Sequence, residues 1–269
     1  MPSYRIDLAY DGGGFHGYAK NAGVRTIQGE LERALGTVLG SKVATVVAGR
    51  TDTGVHAWGQ VVSLDAAADL DLERVTRSLS TMLAPEIVVR SVSPAPDGFD
   101  ARFGAVSRTY RYFVDDRPGP NPLHRHIAWH IETPLDSASM EVAAEGFVGE
   151  HDFASFCRSA EGKTTIRRVL SAAWWREADG LAPRAELVAA GAGHPTANFA
   201  DVDGGLLVFE ITANAFCHQM VRSLVALSVE IGRGRVPVAA IPEIFDARDR
   251  NAARGAAPPH GLILWKVEY

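Results

Sequence analysis

Hydrophobic periodicity switches between two and 3.6 residues along the first hundred positions, and the order of those switches restricts the fold more than any other feature. YRIDLAY (4–10) alternates as a strand and closes on DGGG, a glycine-rich turn. TIQGELERALGTVLG (26–40) then sets Ile27, Leu31, Ala34, Leu35, Val38 and Leu39 on one helical face, with Thr26 as N-cap. Strands are expected at 43–48 and 57–64. LDLERVTRSLSTML (70–83) is a second amphipathic helix, facing inward through Leu72, Val75, Leu79 and Leu83, and EIVVRSV (86–92) is another strand. The resulting order, β-α-β-β-α-β, is the ferredoxin-like one.

The rest of the chain partly echoes that order. SRTYRYFVDD (107–116) alternates as a strand, a helix covers about 136–148, and a strand follows at 165–176. Residues 179–205 are rich in Ala, Gly, Asp and Pro and read as a long loop or insertion. LLVFEITAN (206–214) is a strand, FCHQMVRSLVALSVEIGRG (216–234) a long helix and GLILWKVEY (261–269) a closing strand. The expectation is an α+β protein of two ferredoxin-like halves, 1–104 and 105–269, with mixed, mostly antiparallel sheets.

With 269 residues, 46% hydrophobic and 22% charged, the chain has the makings of an ordinary globular protein with a sizeable core. No apolar run approaches the roughly 18–20 residues that span a bilayer. No signal peptide is evident in MPSYRIDLAYDGGG. The two cysteines, Cys157 and Cys217, form neither a CxxC nor a disulfide framework, so a reducing, cytoplasmic setting is expected.

Net charge is −5, which by itself disfavours nucleic acid as a partner. The kind of base points the other way: four of the 27 basic residues are lysines, leaving 23 arginines, whose planar forks suit bidentate phosphate contacts. A GC-rich genome, which favours arginine codons along with alanine and glycine, would account for much of that excess. Placement says more, because Arg102, Arg108, Arg111, Arg117 and Arg125 crowd into 24 residues against Asp115 and Asp116 alone. A local cluster of this kind can line a phosphate-binding groove on an acidic protein.

Between two strand-like stretches stands GRTDTGVHA (49–57). Gly49 and Gly54 allow tight turning, so the side chains between them can project from strand ends. Asp52 is the sole carboxylate of this turn, and Arg50 lies two residues away. An Asx-turn, with Asp52 bonding its own backbone, accounts for the pattern equally well. A metal site needs several clustered ligands, and His56 is the only neighbour of suitable type, so no metal is expected.

AYDGGGFHGYAK (9–20) lacks both the P-loop and the Rossmann spacing and reads as a hairpin turn. His151-Asp152 reads as a cap that packs a turn, and Ser155 and Cys157 have no base beside them to make a nucleophile. Arg222 interrupts the apolar face formed by Met220, Leu224 and Val225. Buried there, it requires a carboxylate from elsewhere in the chain.

Taken together, six blocks resemble the TruA family of tRNA pseudouridine synthases, in order and nearly end to end. They are YDGGGFHGY with TIQGELERAL, GRTDTGVHAWGQVVSLD, FDARFGAVSRTYRY, FVGEHDFASF, FEITANAFCHQMVRSLV and APPHGLILWKVEY. The resemblance implies the pseudouridine synthase fold, with its halves flanking a central active-site cleft. It implies isomerisation of uridine to pseudouridine at positions 38, 39 and 40 of the tRNA anticodon stem-loop, by a cytoplasmic homodimer that uses no cofactor. By position, Asp52 would be the catalytic aspartate, acting as nucleophile or base. Arg50 would accompany base flipping, Tyr110 would stack on the target base, and Arg222 would pair with Asp52. The Tyr110 hydroxyl is also a candidate for proton transfer at C5 of the base. Arg102, Arg108, Arg111 and Arg125 are candidate RNA contacts.

Two positions depart from the family pattern: YAKNAG follows Gly17 where tryptophan and glutamines are usual, and Ala226 replaces a common glycine. Two other classes remain as rivals. A non-catalytic RNA-binding module would show the stacking aromatics of an RNP motif, which are absent. A metal-dependent hydrolase would show several clustered acids.

Overall fold

The computed structural model of the chain describes residues 1–66, 70–158, 164–177 and 205–269. The stretch 179–205 therefore lies outside the described residues, apart from Gly205.

The first half begins with β1 (Ser3–Tyr10), whose alternation turns Tyr4, Ile6, Leu8 and Tyr10 into the core. Helix α1 (Ile27–Leu39) starts where the Thr26 hydroxyl accepts from Gly29 N at 3.2 Å, and stops at Gly40, which takes a left-handed φ of 71°. Next come β2 (Val46–Val47), β3 (His56–Asp65), α2 (Leu72–Leu83, capped by Asp71) and β4 (Ile87–Pro94). The second half adds β5 (Ser107–Asp115), β6 (Trp129–His130), α3 (Ser137–Glu145), β7 (Gly149–Asp152), β8 (Ile166–Arg176), β9 (Leu207–Ala213), α4 (Met220–Gly232), α5 (Ile241–Ala247) and β10 (Leu262–Glu268).

All these strands join one mixed sheet in the order β4-β1-β3-β10-β5-β9-β8-β7, with β2 on β3 and β6 on β5. Its pairings are antiparallel except β3 with β10 and β5 with β6. The parallel β3–β10 contact, His56 and Ala57 against Ile263 and Leu264, joins the halves. Close approach continues beside it at Gly59, where any Cβ would collide with the carbonyl of Trp265.

The helices lie on one face of this sheet, α1 against α2 and α3 against α4. A single hydrophobic core runs beneath them through both halves, from Ile6 and Leu31 to Leu224 and Leu264. A smaller cluster of Phe113, Ala128, Leu206 and Val208 sits on the opposite face.

Several elements differ from the sequence expectation. The strand expected over 43–48 is reduced to Val46–Val47. The long helix begins at Met220 rather than 216, because Gln219 adopts a left-handed φ of 67° and turns the preceding residues away from the helix axis. The two cysteines meet, joining Cys157 to Cys217 with Cα atoms 5.7 Å apart. Sequence separation hid this pairing, which the fold creates by placing the turn before α4 beside the turn after β7. His151 and Asp152 do pack a turn: His151 stacks on Phe245 at 4.8 Å, and Asp152 accepts from Ala154 N at 3.1 Å.

Candidate active site

The loop between β2 and β3 is held from several sides. Thr51 bonds the Tyr10 hydroxyl at 2.8 Å, and its carbonyl accepts from Tyr18 N at 3.0 Å. Gln60 donates to the Gly49 carbonyl at 2.8 Å. The chain around Gly12 presses against Val55 so closely that a Cβ would collide with the Val55 carbonyl. His56 is used up in this scaffold, since Nδ1 accepts from Gly12 N at 3.1 Å and Nε2 meets the His126 carbonyl at 2.9 Å. It is therefore not a ligand beside Asp52. Among the described residues no group of three or more His, Cys, Asp or Glu side chains is placed to hold a metal ion.

The Asp52 side chain does not form an Asx-turn. Its carboxylate instead faces two residues brought from the far end of the chain. Arg222 Nη1 lies 3.6 Å from Oδ2, and His218 Nε2 lies 3.3 Å from Oδ1. Arg222 is largely buried, and its Nε donates to the Ala257 carbonyl at 2.6 Å, which aims the remaining face of the guanidinium at Asp52. The acid that a buried Arg222 required is thus Asp52.

Asp52 sits in a cleft of about 1060 Å³ between the two halves. Among the described residues, six arginines line it: Arg50, Arg102, Arg108, Arg158, Arg167 and Arg222, against the acids Asp52 and Asp100. Arg50 is exposed and makes no hydrogen bond or ion pair among the described residues, so it is free to engage a ligand. Tyr110 forms part of the cleft wall, with its ring edge-on to Phe216 at 5.0 Å. Burial pushes the Tyr110 hydroxyl well above the usual phenol range, and neighbouring Tyr10 and Asp52 push it the same way. A phenol so placed stays neutral, which makes it a poor proton acceptor.

The four arginines expected in one RNA-binding cluster do not converge. Arg102 is exposed on the cleft wall. Arg108 also reaches the cleft, but its guanidinium is consumed by the carbonyls of Ala48, Arg102, Ala105 and Asn214. Arg111 points to the opposite sheet face, where it pairs with Glu210 at 2.6 Å and lies over Trp265. Arg125 is on the loop after β5 and donates to the Pro122 carbonyl at 2.7 Å. Alternation on β5 explains the split, because Arg108 and Tyr110 share one face while Arg111 takes the other. The arginine-rich interval is thus three separate environments.

Sequence reasoning missed His218, Phe216, Arg158 and Arg167. The one available signal was proximity of the first two to Arg222, obscured by extending the helix to 216.

An α+β sheet protein with one carboxylate clamped at the floor of an arginine-lined cleft defines a class whose site suits an anionic polymer. Comparison with known proteins makes the class specific. The family model for tRNA pseudouridine synthase matches residues 8–104 and 143–269. A protein of Streptomyces griseus subsp. griseus named tRNA pseudouridine synthase A is 41% identical over 98% of this chain and 87% of its own length. The protein of the same name from Bacillus subtilis is 36% identical over 98% of both chains, and one from Listeria monocytogenes is 36% identical over 100% of both. The chain belongs to the tRNA pseudouridine synthase family.

Proposed function

We propose that this protein isomerises uridine to pseudouridine in the anticodon stem-loop of tRNA, at positions 38, 39 and 40. The observation that carries the reading is the clamped carboxylate of Asp52 at the floor of a cationic cleft lined by Tyr110. The cleft volume lies just above the ~300–1,000 Å³ range of ligand sites, room enough for a nucleotide turned out of its helix.

In the reaction the N1–C1′ bond breaks, a C5–C1′ bond forms, and the hydrogen on C5 is exchanged for one on N1. Ionised Asp52 either attacks C1′ or removes a proton from C2′, and both routes need its negative charge. The Arg222 guanidinium, 3.6 Å away, places an opposite charge beside it. Extruding the base costs a few kcal/mol, which stacking on Tyr110 and entry of the free Arg50 side chain into the vacated space would offset. Substrate and product are isomers, with no net oxidation, reduction or group transfer, so the reading requires no cofactor.

Architecture supports the same assignment at a finer level. We read two ferredoxin-like halves, 1–104 and 105–269, because four strands of each share one spatial pattern, β4-β1-β3-β2 and β10-β5-β9-β8, with β6 and β7 added to the second. A cytoplasmic homodimer with tRNA bridging both copies completes the proposal. In its support, the sheet face behind the site exposes Trp58, stacked on Trp265 at 5.9 Å. No helix among the described residues is long and apolar enough to cross a membrane.

The test is to map pseudouridine in unmodified tRNA before and after incubation with purified protein. New pseudouridine at 38, 39 or 40 is the expected result. Intact tRNA with no new pseudouridine would overturn the proposal.

A further inference from the structure

The isomerisation leaves one proton to be removed late in the reaction. Once C5 has bonded to C1′, C5 still carries its hydrogen, and aromaticity returns to the ring only when that proton departs. Among the described residues lining the cleft, the groups able to accept it are few. Tyr110 is neutral for the reason given above, and Asp100 Oδ1 already caps the backbone N–H groups of Arg102 and Phe103 at 2.7 and 2.8 Å. Asp52 faces C1′. His218 is the one imidazole on the wall.

Its surroundings fix where that ring can point. The His218 carbonyl accepts from Arg158 N at 3.0 Å, and the residue before it is the disulfide-bonded Cys217. The residue after it, Gln219, is locked in the left-handed region, and its side chain accepts from Arg250 at 2.7 Å. With Nε2 turned to Asp52, Nδ1 makes no hydrogen bond among the described residues. The side chain is 45% exposed, on the side of the cleft.

We propose that His218 is a catalytic residue of this reaction and that its Nδ1 takes the proton from C5 after the base has reattached. This rests on the pseudouridine synthase reading above. In the covalent route, forming the C5–C1′ bond releases Asp52 as a carboxylate, so the anion reappears 3.3 Å from the imidazole as the proton must leave. The imidazolium then faces an opposite charge, the relation that lets a carboxylate support a histidine base. The C–H electron pair returns to the ring, N1 takes a proton from water, and His218 gives its proton back to solvent. No electrons are gained or lost overall.

The experiment measures single-turnover pseudouridine formation on tRNA carrying either uridine or 5-deuteriouridine at the target site. Wild type, His218→Leu and His218→Gln are compared, with thermal midpoint and tRNA affinity measured for each. Glutamine can still donate to Asp52 but offers no basic nitrogen. Both variants should fold and bind tRNA, lose about 10²–10⁴-fold in rate, and show a larger deuterium isotope effect than wild type because C5 proton loss has become limiting. A His218→Gln enzyme restored to near wild-type rate would overturn the proposal and leave His218 as a positioning residue for Asp52. Slow variants with an unchanged isotope effect would overturn it as well. A wild-type protein that forms no pseudouridine from either substrate would overturn the function reading itself, and this inference with it.

Discussion

Arg108 offers the sharpest separation between an RNA-contacting arginine and a structural one. Its guanidinium donates to Ala48 O through Nε at 3.2 Å and Nη2 at 2.9 Å, and to Arg102 O at 2.6 Å, Ala105 O at 3.2 Å and Asn214 O at 2.8 Å. Those carbonyls belong to the strand end before Asp52, the turn before β5, and the turn leading to His218. One side chain therefore ties together three segments that form the site. Burial pushes its pKa down, so the charge persists because these carbonyls replace water. Arg108→Ala removes all of these bonds. Hydrogen bonds to a charged donor contribute about 1.5–3 kcal/mol each, and carbonyls that regain water cost less, so a loss of about 3–5 kcal/mol is expected. At ~2–4 °C per kcal/mol for a chain approaching this size, the thermal midpoint should fall by roughly 6–20 °C. Thermal unfolding and tRNA binding across a salt series, measured on the folded fraction, make the test. An unchanged midpoint, with the log–log salt slope lowered by about 0.7–0.9, would refute the clamp and make Arg108 a phosphate contact.

Further outcomes follow from other groups. Asp52→Asn keeps the shape of the side chain but neither its charge nor its basicity, so it should bind tRNA and form no detectable pseudouridine; even a tenth of wild-type turnover would remove Asp52 from the chemistry. Arg102→Ala should lower the salt slope of tRNA binding by about one contact, roughly 0.7–0.9, while Arg111→Ala, which loses its Glu210 pair on the opposite face, should leave it unchanged. Acid should unfold the protein through Asp115 and Asp116. Burial alone would raise both carboxyls, but the Arg117 and His124 bonds to Asp115, and the Arg176 and Leu135 N bonds to Asp116, hold them below the usual range. Their contribution is complete above the unfolded carboxyl pKa of about 3.9 and is lost as pH falls through the lower folded values. Asp115→Asn and Asp116→Asn should each lower stability at pH 7 and flatten its decline below about pH 4 in urea unfolding.

The sequence alone determined most of what is local in this protein. Helical spacing in 26–40 and 70–83 and alternation in 4–10 and 107–116 follow from where each side chain must point, and α1, α2, β1 and β5 appear there within a few residues. The glycine-flanked turn carrying Asp52 was legible for the same reason, because backbone freedom and a lone carboxylate are properties of adjacent residues. Part of the arginine division was legible too: period-two alternation already sets Arg108 and Tyr110 against Arg111, a consequence that counting charges along the chain conceals.

Only the tertiary structure decided what surrounds Asp52. The choice between an Asx-turn and a cross-chain clamp depends on which strand pairs with the start of β3 on the side away from β1, and that is β10, paired in parallel from the end of the chain. This pairing and the packing of α4 bring Arg222 and His218 to the same carboxylate, join Cys157 to Cys217, and turn His56 away from the site. The sequence showed that a buried Arg222 needs a carboxylate, but which partners meet has no local signature, because these contacts rest on burying one core shared by both halves. Periodicity fixes which face of an element is apolar, while the partner covering that face is selected by the packing of the whole sheet.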